Sequence, residues 1–146
     1  MTQAAHATYD DANLVMRLYD LRREEKLRDA RAWFVANFKP KSMADIQLLC
    51  PPGSENDARL RQVASYWDMA SSFITAGVLN PELFFASSRE MLMVFVRFRP
   101  VLAEVRSAFK DPSFLKDLET VGQQFEDHLK KAGPGALEAF VARVGG

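Results

Sequence analysis

Residues 60–74 read LRQVASYWDMASSFI, and apolar side chains recur along them at helical spacing. Five of these side chains follow one another at steps of three, four, three and four positions: Leu60, Val63, Trp67, Ala70 and Ile74. This is the period of one α-helix face, and it predicts a helix over about residues 55–76. Tyr66, Met69 and Phe73 widen the stripe, so we expect this helix to be buried on more than one side.

Signals for helix ends and helix starts continue on the C-terminal side of this segment. Gly77 is typical of a residue that ends a helix, and Asn80-Pro81 is typical of the next helix start. Residues 91–96 read MLMVFV and are apolar on all sides, which places a second core helix over about residues 88–109. Pro100 lies inside that pattern and predicts a kink, because proline cannot donate the helical hydrogen bond.

Capping and breaking residues predict further helices over about residues 10–38, 43–50, 112–131 and 136–144. β signals are scarce, since no Asn-Gly or Asp-Gly hairpin is present. We therefore predict an all-α protein with a single domain, an irregular bundle of five to seven helices around the two core helices. Residues 1–9 are expected to form a flexible lead-in, and residues 10–146 one helical domain.

Composition and charge limit the classes of function. The chain has 146 residues, and its nineteen basic and nineteen acidic side chains cancel to a formal net charge of zero. A nucleic-acid-binding protein usually carries a basic excess, so we predict no nucleic-acid partner. The apolar runs are too short to span a membrane, and the N-terminus lacks the pattern of a signal peptide. The single cysteine, Cys50, fits a reducing compartment, and we predict a cytoplasmic protein.

Residues that could carry catalysis or hold a metal form no known motif. The two histidines, His6 and His128, are far apart, and Phe125 stands where a Glu-x-x-His metal motif would need Glu. No Gly-x-Ser-x-Gly elbow and no phosphate-binding glycine loop is present. Cys50 is interpreted as a core residue. We predict no catalytic residue, no metal ligand and no cofactor.

Asp68 and a group of arginines are the residues whose charges could form an ion pair or bind a ligand. Arg97, Arg99 and Arg106 fall in the most apolar region, and Asp68 stands among the aromatic side chains of residues 66–73. Because an unpaired buried charge is costly, we expect Asp68 to form a structural ion pair with an arginine. The alternative is a small-anion pocket built from Arg97, Arg99 and Arg106.

The first predicted helix has two apolar stripes, although a helix docked on one core needs only one. Met16, Tyr19 and Phe34 share one side, and Leu14, Leu18 and Leu21 lie nearly opposite. The leucines are spaced like a coiled-coil seam, which predicts a homodimer that associates through them. The alternative is that the C-terminal helix, with Phe140 and Val144, covers these leucines within one chain.

A resemblance can be stated on several short motifs. They are Tyr66-Trp67-Asp68, Phe73, Gly77-Val78-Leu79, Arg99-Pro100 and Arg106. Over about residues 55–110 this order resembles small uncharacterised bacterial all-helical proteins that are classed as domains of unknown function. The resemblance implies the helical fold and assigns no activity.

These observations favour a non-enzymatic interaction or regulatory module that self-associates. The alternative is a helical protein or enzyme that binds a small anion in an arginine-lined pocket.

Overall fold

The computed structural model describes residues 6–145. Within them the regular secondary structure is helical, and loops connect the helices. The helices are α1 (Tyr9–Arg22), α2 (Glu25–Asn37), α3 (Met43–Leu49), α4 (Glu55–Thr75), α5 (Pro81–Ser87), α6 (Arg89–Phe98), α7 (Leu102–Phe109), α8 (Lys116–Ala132) and α9 (Ala136–Val144). A 3₁₀ turn at Arg99–Val101 joins α6 to α7. The all-α prediction is confirmed, but the bundle contains more helices than the five to seven expected. Residues 1–5 of the predicted lead-in lie outside the described residues.

Helix α4 is the central element, as the periodicity of residues 60–74 predicts. All five side chains of the predicted stripe are buried, and Trp67 and Ala70 are fully enclosed. The helix packs against α2 on one side and α8 on the other, and it also touches α6. Helix α6 is buried from Met91 to Phe98, so it crosses the core as expected. Pro100 does interrupt the helix, and the 3₁₀ turn is the result.

The predicted helix over residues 10–38 is wrong, because the chain forms two helices there. Glu24 separates them: its carboxylate accepts a hydrogen bond from the Leu27 backbone N–H at 2.9 Å and so caps the start of α2. A side-chain cap of this kind starts a new helix without proline or glycine. The break leaves each helix free to turn its own apolar stripe toward the core.

This break corrects the interpretation of the leucine seam. In α1 the core-facing side chains are Leu14, Val15 and Leu18, and Leu18 is only 4% exposed. Leu21 is 43% exposed, so the three leucines do not form one free seam. The proposed cover by the C-terminal helix is also not what the packing shows, since α1 packs against α2 and α5 whereas α9 packs against α6 and α8.

The start of α8 differs from the prediction by one turn. The helix predicted over about residues 112–131 is not capped by Asp111, because the Asp111 carboxylate accepts hydrogen bonds from the backbone and hydroxyl of Ser113. The helix begins at Lys116, after Leu115 in the left-handed conformation with φ of 55°. Among the described residues, no helix is both long and apolar enough to cross a membrane.

Candidate functional site

The break between α1 and α2 opens a cleft that the end of α5 and the start of α6 complete. We define the cleft by its lining residues, which are Tyr19, Arg22, Arg23, Arg28, Arg31, Ser87 and Glu90. Its volume is about 430 Å³. Four of the seven lining residues are arginines and one is a carboxylate, so the cleft is electropositive.

Glu90 connects three helices at the base of the cleft. Its carboxylate accepts two hydrogen bonds from Arg31, from Nε at 2.8 Å and from Nη2 at 3.0 Å, and a third from Trp67 Nε1 at 2.9 Å. The hydrogen bond to Glu90 raises the pKa of Arg31, so this arginine stays charged. Arg31 also donates to the Arg22 backbone carbonyl at 3.1 Å, which closes the C-terminal end of α1. Arg31 and Glu90 therefore neutralise each other and fix the base.

Within residues 6–145, the other three arginines of the cleft form no ion pair with a carboxylate. The Arg22 guanidinium lies 5.2 Å from the Tyr19 ring centroid and 5.1 Å from that of Trp67, so cation–π contacts position it. Arg23 and Arg28 are exposed, and their guanidinium groups make no hydrogen bond or ion pair within residues 6–145. The cleft thus has a surplus of three positive charges.

A second depression adjoins the cleft and has the opposite charge balance. We call it the groove, and its lining residues are Glu25, Arg28, Asp29, Arg31, Ala32, Val35 and Glu90. Arg28, Arg31 and Glu90 line both depressions, and the groove adds the carboxylates of Glu25 and Asp29, so the groove has no surplus of positive charge. Asp29 is further occupied by an ion pair with Arg59 at 3.0 Å.

Arg97 is held by backbone carbonyls rather than facing an open pocket. Its Nη1 donates to the carbonyls of Phe34 and Val35 at 2.9 Å and of Phe38 at 3.3 Å, and its Nε donates to Val144 at 2.7 Å. These carbonyls belong to the C-terminal ends of α2 and α9, which favour a cation. Burial lowers the pKa of Arg97. Arg97 therefore joins two helix ends and is closed to a ligand.

Arg99 and Arg106 have separate partners of their own. Arg99 pairs with Glu126 and lies 4.6 Å from the Phe95 ring centroid. Arg106 donates to the Phe114 carbonyl at 2.8 Å and to Glu119 at 3.1 Å. The expected anion pocket built from Arg97, Arg99 and Arg106 is not formed, because the three guanidinium groups bind different parts of the chain, although Nη2 of Arg106 is buried and has no hydrogen-bond partner within residues 6–145.

The expected Asp68–arginine ion pair is also corrected. Asp68 Oδ1 accepts a hydrogen bond from the Leu118 backbone N–H at 3.0 Å, and no ion pair within the described residues includes it. Leu118 lies in the first turn of α8, where backbone N–H groups lack helical partners, so Asp68 caps α8 from α4. Burial and the nearby Asp117 raise the pKa of Asp68, while the Leu118 bond and Arg106 lower it, and the net direction is upward.

A family model matches most of the residues described above. The model of a domain of unknown function, DUF4760, matches residues 7–125, which is more than half of the chain. The chain belongs to this family. No curated protein and no solved structure matches the chain.

The match extends beyond the segment on which the resemblance was stated and confirms it as a domain of unknown function. Every cleft residue of this DUF4760 domain falls within the matched residues, whereas α9 follows them. The bacterial origin stays a prediction.

In the described part of the chain, the other chemically active side chains do not cluster. Within residues 6–145, no three His, Cys, Asp or Glu side chains are placed to hold a metal ion. Cys50 is buried, and burial together with Asp57 raises the pKa of its thiol to about 11, so it is protonated at neutral pH. The His128 ring contacts Phe85 and Phe125.

Sequence reasoning missed the cleft of the DUF4760 domain because residues 22–29 resemble a solvated face of one long helix. Consecutive charges on an uninterrupted helix point to different sides and do not surround a cavity. The available signal was the pair of apolar stripes before and after this charge run. Because the apolar stripe moves to the opposite side of the helix after the charge run, the pattern predicts a break there. Arg22, Arg23 and Arg28 flank this break, so it brings arginines of two helices together.

Proposed function

We propose that this domain is a non-catalytic binding module whose cleft holds a small anion with more than one negative charge. The observation that carries the proposal is the surplus of three arginines, Arg22, Arg23 and Arg28, around one cavity. Like charges held together repel one another, and a bound anion converts that repulsion into attraction. Guanidinium groups also present paired donors that match phosphate and carboxylate oxygens.

The position of the cleft supports a regulatory role for binding. Arg22 and Arg23 lie at the end of α1, and Arg28 lies in the first turns of α2. An anion that contacts both helices would fix their relative orientation. We further place the protein in the cytoplasm, which its one cysteine, Cys50, supports.

The test is a calorimetric titration of pyrophosphate into the protein. We expect binding that Arg28→Gln weakens at least about tenfold, because each charge-assisted contact contributes more than about 1.4 kcal/mol. Arg28 is exposed, so the substitution should leave the fold intact. Arg17→Gln is the matched control, since Arg17 is an exposed arginine of α1 outside the cleft. Equal affinities of Arg28→Gln and wild type would contradict the proposal.

We propose as a second function that the protein forms a homodimer through an exposed face of α1. Tyr9 and Met16 are 81% and 66% exposed. At 100° per residue they fall within about 20° of each other, so they lie on one apolar face. A two-fold dimer would pair this face with itself.

Sedimentation of two variants tests the dimer. We expect Met16→Glu to convert a wild-type dimer into a folded monomer, because a charge at the centre of an apolar interface is costly. Leu48→Glu is the control, since Leu48 is 87% exposed on α3 and should leave the dimer intact. A monomeric wild type at about micromolar concentration would refute this function.

A further inference from the structure

The charge balance of the cleft selects a ligand with two or three negative charges. Arg31 is neutralised by Glu90 through two hydrogen bonds, whereas Arg22, Arg23 and Arg28 form no ion pair with any described carboxylate. A single carboxylate would compensate only one of these charges. Phosphate groups carry close to two charges each at neutral pH and offer several acceptor oxygens. The arginines therefore favour phosphate groups.

The volume of the cleft exceeds that of a phosphate group. Its volume of about 430 Å³ lies in the range of sites that enclose a whole small organic molecule. Ser87, at the end of α5, adds a hydroxyl that makes no hydrogen bond within residues 6–145. A bare phosphate ion would leave most of this space to water.

The aromatic side chains of the cleft indicate what the rest of the ligand is. Trp67 is fully enclosed and its indole N–H is bound to Glu90, so its ring is not accessible to a ligand. Tyr19 lines the cleft and is 50% exposed, which leaves ring surface for stacking. Planar rings stack well on tyrosine and on guanidinium groups, and Arg22 lies beside Tyr19.

We propose that the cleft binds a free nucleotide, with its phosphates at Arg22, Arg23 and Arg28 and its base stacked on Tyr19. This inference rests on the proposed anion-binding function and names the class of ligand. Arg31 and Glu90 do not bind the nucleotide directly. They hold the end of α1 against α2 and α6, so the backbone positions of Arg22, Arg23 and Arg28 keep their spacing.

The experiment compares ADP, pyrophosphate and adenosine by calorimetry on the full chain. We expect ADP to bind at least about tenfold more tightly than pyrophosphate, since stacking of one base adds a contribution of that size. Adenosine alone, which lacks phosphate, should bind at least about a hundredfold more weakly than ADP.

Two substitutions separate the base from the phosphates. Tyr19→Leu should reduce the affinity for ADP to that for pyrophosphate and leave pyrophosphate binding unchanged, while Arg28→Gln should weaken both. Phe109→Leu is the control, because Phe109 is an aromatic residue of α7 that is 56% exposed and does not line the cleft.

The nucleotide assignment would be overturned by equal affinities for ADP and pyrophosphate, or by a Tyr19→Leu variant that binds ADP like wild type. In either case, binding of pyrophosphate would still support the anion site. Failure of both ADP and pyrophosphate to bind would overturn the anion site and the nucleotide together.

Discussion

At the residue scale, Arg97 illustrates which part of a site the sequence can predict. It lies among apolar residues in the sequence and is buried in the fold. The partner is not encoded by any side chain, because it consists of backbone carbonyls at the ends of α2 and α9. Every residue type has the same carbonyl, so a sequence pattern gives no sign of such a partner. Asp68, whose partner is a backbone N–H, was misassigned for the same reason.

Removal of Arg97 should be costly for stability. Arg97→Met keeps the length of the side chain but leaves buried carbonyls of two helix ends without their donor, and we expect a loss of about 2–3 kcal/mol in the free energy of unfolding. Arg99→Met should cost less than about 1 kcal/mol, because the Arg99–Glu126 pair is near the surface. Urea unfolding of both variants measures the difference. Equal losses would contradict the capping role of Arg97.

Asp11 and Asp68 should respond to the same substitution in opposite ways. Hydrogen bonds from the backbone of Thr8 and of Asn80 lower the pKa of Asp11 below its ordinary value of 3.8, whereas burial raises that of Asp68. Ionised Asp11 therefore stabilises the fold above the ordinary pKa, and this contribution is lost as the pH falls through the lowered pKa. For Asp68 the stabilising form is protonated, and its contribution is lost as the pH rises through the raised pKa.

At neutral pH we expect Asp11→Asn to lower the free energy of unfolding and Asp68→Asn to raise it. Asparagine at position 68 keeps an oxygen that can accept the Leu118 hydrogen bond without a charge. Urea unfolding at neutral pH and again at about pH 3 measures both effects, and both should shrink in acid. Two changes of the same sign at neutral pH would show that the opposing pKa shifts do not govern stability.

At the element scale, helices were predictable wherever local chemistry defines them. The ends of α3, α4 and α5 follow from Ser42, Ser54, Gly77 and Asn80, whose effects act within one turn of the chain. The break before α2 was missed because it depends on the rotamer of Glu24, an ordinary helix-forming residue. The late start of α8 was missed because Asp111 formed a turn with Ser113 instead of a helix cap.

The crossing of α6 and α8 depends on Gly122. A Cβ atom at this position would lie 2.3 Å from Phe95 Cδ2 and 2.5 Å from its Cγ. We therefore expect Gly122→Ala to cost about 1–3 kcal/mol, although alanine favours a helix by about 1 kcal/mol over glycine. Thermal unfolding should also show that adding Phe95→Leu recovers part of the loss.

Gln123→Ala is the control for this crossing, because Gln123 is exposed on α8. It should change stability by less than about 0.5 kcal/mol. A Gly122→Ala variant as stable as wild type would mean that the two helices can separate without cost.

At the scale of the whole molecule, the zero net charge conceals an uneven distribution. Nineteen positive and nineteen negative side chains cancel over the full sequence, yet the cleft has three unmatched arginines. The net charge is a sum over the entire chain. It therefore excluded a broadly basic surface but could not show that positive charges are concentrated at one cavity. The site became visible only when the fold brought α1, α2 and α6 together.

The packing of α4 predicts that the whole chain unfolds as one unit. This helix contacts α2, α6 and α8, so none of them can leave without exposing its apolar side chains. In a Trp33→Phe variant, Trp67 is the only tryptophan left of the two in the chain. We expect its fluorescence and the far-ultraviolet circular dichroism to change at the same urea concentration. Separate midpoints would indicate that the helices form more than one cooperative unit.

The two-residue break between α1 and α2 also has a consequence for changes in chain length. Leu18 and Leu27 both face the core, although nine positions in an unbroken helix would set them about half a turn apart. Residues 23 and 24 lie between the two helices, and the change of direction there accounts for the half turn. An inserted or deleted residue there alters the connection and leaves both stripes in place. The same change inside α2 would rotate Phe34 and Phe38 about 100° away from the core. Length variation in the first half of the chain should therefore be tolerated at this break and rejected on either side of it.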